Sequence, residues 1–527
     1  MLNLYNKRKI WGIMSGFTTI GRKSLFAGEG NVNANAVGPF GSPIMAELHP
    51  TAQAAFIYTV NPVQWTTSSV GAGSYVNSSL GVMTSSSGTS TSGSADVRLS
   101  RSLKYRPGQG SMCRLTAIFD PGAPDTLQLA GIGNEEEGYY FARKNTEFGI
   151  LHRERSKREI RSFTITSPPA GAATVVVTLD GYSTSVPING GGSANQTSYQ
   201  LSQADYSQVG SGWHAESIDG IVYFVSKIPG PRAGTFSMTN GGSIATVSTV
   251  QAGELPIETF ISQSQWNIDK CNGEGDSRFQ LNPSLGNVYG IGYQYLGFGN
   301  AFFSVENPET GMLTACHMIK NANSRSTVNI RNPQMTARWA AINSGSLATP
   351  ISVKGASAGV FTEGMIVRNI GPAFSSGSAR VGAALDLDTN LVPVISLRAN
   401  TIFTDQCNYG EIDLFNLAVG TDTGSAASTI LTEVYVYKNL SLGGPVNWKH
   451  VDQSKSIAAV DLAATSYSIG PRTQLLKSFL VGANEATVLY IQNENFFLTS
   501  GETLTVLARA TKNTTEATFS LSWFEDQ

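Results

Sequence analysis

Short runs in which apolar and polar residues alternate, each bounded by Gly, Pro, Asn or Asp, recur along most of this chain and constrain its fold more than any other feature. Successive side chains of a strand point to opposite faces. LTEVYVYKN therefore sends Val434 and Val436 one way and Tyr435 and Tyr437 the other, while Phe519, Leu521 and Trp523 oppose Thr518, Ser520 and Ser522. A chain made of such runs must pair its sheets to hide one face of each. Only 14% of its residues are charged, against about 25% in an ordinary soluble domain, and 55 are glycine, which favours turns and strands over helices. The expected fold class is mainly β: several antiparallel β-sandwich or jelly-roll domains, with one small inserted β-β-α-β-β module.

A chain of 527 residues exceeds what a single core organises, so several domains are expected. Residues 1–60 lack a sustained period and read as an extended arm, with Trp11, Phe17, Phe26 and Phe40 as docking side chains. Strand-turn patterns over 61–164 and 253–345 read as one discontinuous, lectin-like β-sandwich. The intervening 165–252 reads as the inserted module, with two strands joined at Asp180-Gly181, a helix in SANQTSYQLSQADYSQ and further strands beyond. Residues 346–527 read as a C-terminal sandwich or jelly roll, with a short helix near 455–465. In NVYGIGYQY, Tyr289, Ile291, Tyr293 and Tyr295 share one strand face and glycines occupy much of the other, so a bulky neighbour is expected on the glycine side.

With 36 basic and 38 acidic residues the net charge of -2 removes any general electrostatic case for nucleic acid or an anionic membrane. No apolar run of about 18 residues suggests membrane insertion. The stretch after Lys7, Arg8 and Lys9 is broken by Ser15 and Gly16, so no signal peptide is expected. Cys113, Cys271, Cys316 and Cys407 are scattered without zinc spacing, and no disulfide framework is expected.

The most ligand-like loop is WNIDKCNGEGDSR, where Asp269, Asn272, Glu274 and Asp276 crowd oxygen donors beside two glycines. Calcium needs such oxygens on a sharply turning backbone, although Cys271 takes one ligand place. The alternative is a turn carrying solvated acids. The run HRERSKREIR offers Arg153, Arg155, Lys157 and Arg158 to an anion or acidic glycan, diluted by Glu154 and Glu159. Glu135, Glu136 and Glu137 read as a solvated turn. Histidines 49, 152, 214, 317 and 450 fall in no HExxH pattern and GxSxG is absent, so no catalytic residue is assigned and the chain is expected not to be an enzyme.

The module's Val176, Leu179, Gly181, Trp213, Ala215, Gly220, Val222, Gly230 and Gly234 give it a resemblance to small modules inserted in phage tail and baseplate proteins and flagellar hook-associated proteins. More widely, LKYRPGQGSMCRLTAIFD, LAGIGNEEEGYYFAR, the Trp266–Gly311 segment and SGETLTVLARA look like structural proteins of tailed phages and large DNA viruses. The resemblance implies a non-enzymatic virion protein, assembled in the host cytoplasm, and a fibre or spike contributing to host attachment. It implies a homo-oligomer, a trimer by preference, bound to other virion proteins and touching a host glycan or protein through the C-terminal sandwich. The competing readings are a capsid- or tail-associated minor structural or decoration protein without a receptor role, and a polysaccharide depolymerase. The β-helix repeats and paired carboxylates usual in depolymerases are not evident.

Overall fold

The computed structural model describes residues 48–189, 192–242, 244–345, 349–364, 371–377, 385–422, 430–491, 496–512 and 515–526. Trp11, Phe17, Phe26 and Phe40 lie outside them. The chain is mainly β, in antiparallel sheets, and divides into two compact units. Within the described residues, unit 1 takes 48–154 and 257–364, and unit 2 takes 155–256 and 371–526. The chain thus passes from one unit to the other three times.

Unit 1 is a two-sheet sandwich. A nine-stranded sheet runs from Leu313–Ile319 through Ala301–Glu306, Asn287–Tyr293, Ser111–Phe119, Ser352–Gly355 and Val82–Ser86 to Tyr75–Ser79, with Ser357–Glu363 joining Ser111–Phe119 to Leu48–Ala55. The seven-stranded sheet runs from Ile257–Ser262 through Glu147–Glu154, Gly138–Lys144, Thr126–Gly133, Thr336–Asn343 and Ser94–Leu99 to Trp65–Val70. One apolar core takes alternate residues from both sheets: Cys113, Leu115 and Ala117 from one, and Ala130, Ile132, Phe141 and Ile150 from the other. Rings supply much of its bulk. Phe56 stacks on Trp65 at 4.1 Å, Phe141 meets Tyr289 at 4.5 Å, and Trp339 donates its indole N–H to the Thr116 carbonyl at 3.0 Å.

Tyr289, Ile291 and Tyr293 all point into this core, as the alternation requires. The glycine face is different from the expectation. A methyl at Gly290 would meet Ser304 Oγ at 2.5 Å and Leu313 at 3.2 Å, but one at Gly292 would find only the Ser111 carbonyl, at 3.9 Å. Cross-strand neighbours crowd Gly290, and the space beside Gly292 is left largely open.

Unit 2 joins the segment read as a module, which begins earlier, at residue 155, to the segment read as a C-terminal sandwich without its first strands, since Ser352–Gly355 and Ser357–Glu363 belong to unit 1; the two parts pack together. The module has a four-stranded sheet (Trp213–Ile218, Ile221–Pro229, Arg158–Ile165, Ala245–Gln251) and a three-stranded one (Tyr182–Ile188, Ala173–Leu179, Ser237–Thr239). Its helix, Ala194–Ser202, begins where Ser193 accepts the Gln196 N–H at 3.1 Å. The sandwich pairs two six-stranded sheets around Leu397, Leu417, Val434, Val436, Leu504, Phe519, Leu521 and Trp523.

The helix expected near 455–465 is absent. Asp452 caps a turn by accepting the N–H groups of Ser454 and Lys455, Glu525 then accepts the Ile457 N–H at 2.8 Å, and Ala458–Asp461 is a strand. The alanines favour a helix locally, and sheet pairing with Val392–Ala399 overrides them.

Candidate functional site

The loop after Trp266 is organised by Asp269. Its Oδ1 accepts the Cys271 N–H at 2.7 Å and its Oδ2 accepts the Ser277 N–H at 2.9 Å, so both oxygens of this buried carboxylate face backbone donors. The two glycines serve that arrangement. Gly273 has φ +87°, and a methyl at Gly275 would lie 2.3 Å from Asp269 Oδ1. Asn272 donates to Glu274 at 3.0 Å and accepts the Glu274 N–H at 3.1 Å. Asp269, Asn272, Glu274 and Asp276 therefore share a loop, but its one buried carboxylate binds the loop to itself. No group of three or more His, Cys, Asp or Glu side chains among the described residues is placed to hold a metal.

The basic run divides between the units, with Arg153 in unit 1 and Arg155, Lys157 and Arg158 in unit 2. Arg153 faces Glu258 on the neighbouring strand, donating to it at 2.7 and 3.0 Å. Arg155 has φ +58°. Lys157 forms an ion pair with Glu254, and their backbones exchange hydrogen bonds at 2.9 and 3.0 Å where the chain enters and leaves the module. The Arg158 guanidinium lies 5.7 Å from the Tyr409 ring centre.

The acidic turn expected to be solvated is buried instead. Asn134 Oδ1 accepts the N–H groups of Glu136 and Glu137, each at 2.8 Å, and Glu137 is only 2% exposed. Glu137 accepts from the Arg331 backbone at 2.7 Å and from its Nε at 3.1 Å. Arg98 pairs with Glu135, and Arg338 with Asp96. The arginines of this network lie on distant segments, so nothing local to NEEEG announces the burial.

The titratable cluster nearest to catalytic chemistry is one that the sequence reading missed. His152 stacks on Tyr139 with ring centres 4.8 Å apart, its Nε2 lies 3.8 Å from Glu154, and Glu154 accepts from Arg325 at 2.5 Å. Asn329 donates to the Tyr139 hydroxyl at 2.7 Å. Burial holds the imidazole neutral, lowering its pKa to about 4. The alternation of EFGILHRE carries the signal, because it places His152 and Glu154 on the same inward face as Phe148 and Ile150.

Unit 2 has its own buried ionic centre. Arg398, on Val392–Ala399, lies 2.8 Å from Glu216, on Trp213–Ile218. Arg398 also donates to the Ser217 carbonyl at 2.8 Å and covers Trp448 at 4.5 Å. Glu216 accepts the Thr401 N–H at 2.7 Å and is bonded by its hydroxyl. Beside the pair, Tyr199 and Ile218 of the module pack against Leu442, Val446 and Trp448, and the Tyr199 hydroxyl donates to the Leu442 carbonyl at 2.8 Å. Elsewhere on unit 2 an open depression of about 310 Å³ is rimmed by Asp422, Asn484, Glu485 and Glu516.

No protein-family model matches the chain, and no curated protein does. Among solved structures, the carbohydrate recognition domain of Emp47p is similar over 60% of this chain and 98% of its own, at 11% identity and TM-score 0.23. Peanut lectin covers 60% and 99% at 11% identity and TM-score 0.21. The infectious bursal disease virus VP2 subviral particle covers 80% and 74% at 9% identity and TM-score 0.17. At these scores the comparisons assign no family and carry no functional argument.

Proposed function

We propose that this chain is a non-enzymatic structural protein of a virion, a fibre or spike exposed on the particle that contributes to host attachment. The observation that carries the reading is the chain path. Two β units share three covalent passages, so neither can be lost by a break in one linker, which suits a part that bears load outside a cell. The polar chemistry agrees with it, because Arg338, Arg398, Glu137 and Glu216 are committed to buried structural pairs. The preferred assembly is a homotrimer docked on other virion proteins through the N-terminal arm, with host glycan or protein as the outer partner.

The test uses the full chain, because removing everything after residue 345 would strip the module of Leu442, Val446 and Trp448. Purified protein is added to host cells before the particle, and particles are probed with antibodies to the chain. Detection on intact particles with reduced adsorption supports the reading. Detection without competition leaves a decoration role, and absence from particles overturns the virion assignment. Release of oligosaccharides from host polysaccharide would overturn the non-enzymatic part.

A further inference from the structure

The strand Ala486–Tyr490 lies at the end of one sheet of the C-terminal sandwich, paired with Glu411–Asp422 on one side and, among the described residues, with no strand on the other. The Thr421 N–H donates to the Glu485 carbonyl at 2.9 Å, and the Ile491 N–H to the Phe415 carbonyl at 3.0 Å. Bonds alternate along an antiparallel strand, so Thr487 and Leu489 also face that neighbour, while Ala486, Val488 and Tyr490 turn their N–H and C=O groups to the open edge. The same three residues carry exposed side chains, Val488 at 49% and Tyr490 at 65%, and the Tyr490 ring is braced by Phe415 at 5.9 Å. Open edges are ordinarily guarded by charge, proline or a bulge. One edge of the other sheet, Gln474–Val481, has Lys477 and a bulge opposite Val436 and Tyr437. Ala486–Tyr490 has none of these guards.

We propose that Ala486–Tyr490 is a self-pairing edge, which takes the same strand of a second copy of this chain in antiparallel addition about a two-fold axis at Val488. In that register Val488 meets the partner's Val488, and the large ring of Tyr490 meets the small side chain of the partner's Ala486, each way round. About six backbone hydrogen bonds close the edge, and two six-stranded sheets become one. Charge favours a copy of the same chain as the occupant. A two-fold contact brings like residues together, and no charged residue lies between Ala486 and Ile491. Glu485 falls opposite the partner's Ile491, about 20 Å along the strand from the partner's Glu485 and beyond a screening length of about 8 Å. Asp422 and Glu516 lie farther still from the axis. The pairing does not depend on the virion reading.

The experiment measures the mass of the full chain by light scattering after size exclusion, over a range of concentrations, beside its variants. Val488→Lys sets two ammonium groups on the axis, and Val488→Pro removes an N–H that no bond within the sheet uses, so each should halve the number of chains in the assembly. A trimer held by other contacts would appear doubled in the native chain and single in these variants, and so would a lone chain. Leu480→Lys, on the guarded edge, should leave the mass unchanged. Val488→Cys should form a covalent dimer under oxidised glutathione, because the Cα atoms of a bonded antiparallel pair lie about 5.5 Å apart; this gain cannot come from a fold defect, and Leu480→Cys should not show it. A mass that neither Lys nor Pro at 488 changes, an equal halving by Leu480→Lys, or no covalent dimer from Val488→Cys would overturn the pairing.

Discussion

Replacing Glu216 by Ala tests the junction within unit 2. The substitution removes the carboxylate 2.8 Å from Arg398 and leaves a guanidinium that is only 7% exposed without its counter-charge. It also removes the acceptor of the Thr401 N–H and hydroxyl. Breaking a buried pair on one side costs about 3–5 kcal/mol, because the stranded charge keeps its desolvation penalty. With a urea dependence of about 2 kcal/mol per M, the unit 2 transition should move down by about 2 M. Urea unfolding followed by hydrogen exchange resolves the units, and protection should fall in Trp213–Ile218 and Val392–Ala399 while Asn287–Tyr293 in unit 1 keeps its own. The double variant Glu216→Leu with Arg398→Met should lose much less than the single one, since no charge is then buried alone. A unit 2 loss below about 1 kcal/mol, of the size of an exposed pair, or equal losses in both units, would refute the reasoning.

Acid should weaken unit 1 through His152. Its folded pKa of about 4 lies below the ordinary 6.5, so the unfolded chain binds the proton first and stability is lost as pH falls from about 6.5 to about 4. Melting curves should flatten over that window in His152→Phe, and an unchanged slope would contradict the burial argument. Trp65→Ala, which empties the space between Phe56 and Trp339, should cost about 3–5 kcal/mol by urea unfolding. Asp269→Ala should free the Cys271 and Ser277 amides and sharply raise exchange over 271–281. Calcium should leave the melting temperature of the native chain unchanged, and a calcium-dependent rise would support the metal reading of that loop.

Strand positions were legible where alternation is clean, as in LTEVYVYKN, because the pleat fixes a period of two without help from the rest of the fold. The module helix was legible in the run SANQTSYQLSQADYSQ, although it ends at Ser202. The 455–465 segment was not, since its strand depends on Glu525 and on Val392–Ala399, both far away in sequence. The candidate sites show the same division. Asp269, Asn272, Glu274 and Asp276 do share one loop, but the sequence could not show that backbone amides occupy the Asp269 carboxylate.

The sequence by itself determined the mainly β class, because alternation and turn residues act over a few neighbours. Tertiary structure decided the partners of the charges. Glu137 meets Arg331 and Glu216 meets Arg398 only after sheets and loops have converged. Such pairings depend on distance and burial in the folded state, which composition and spacing do not encode.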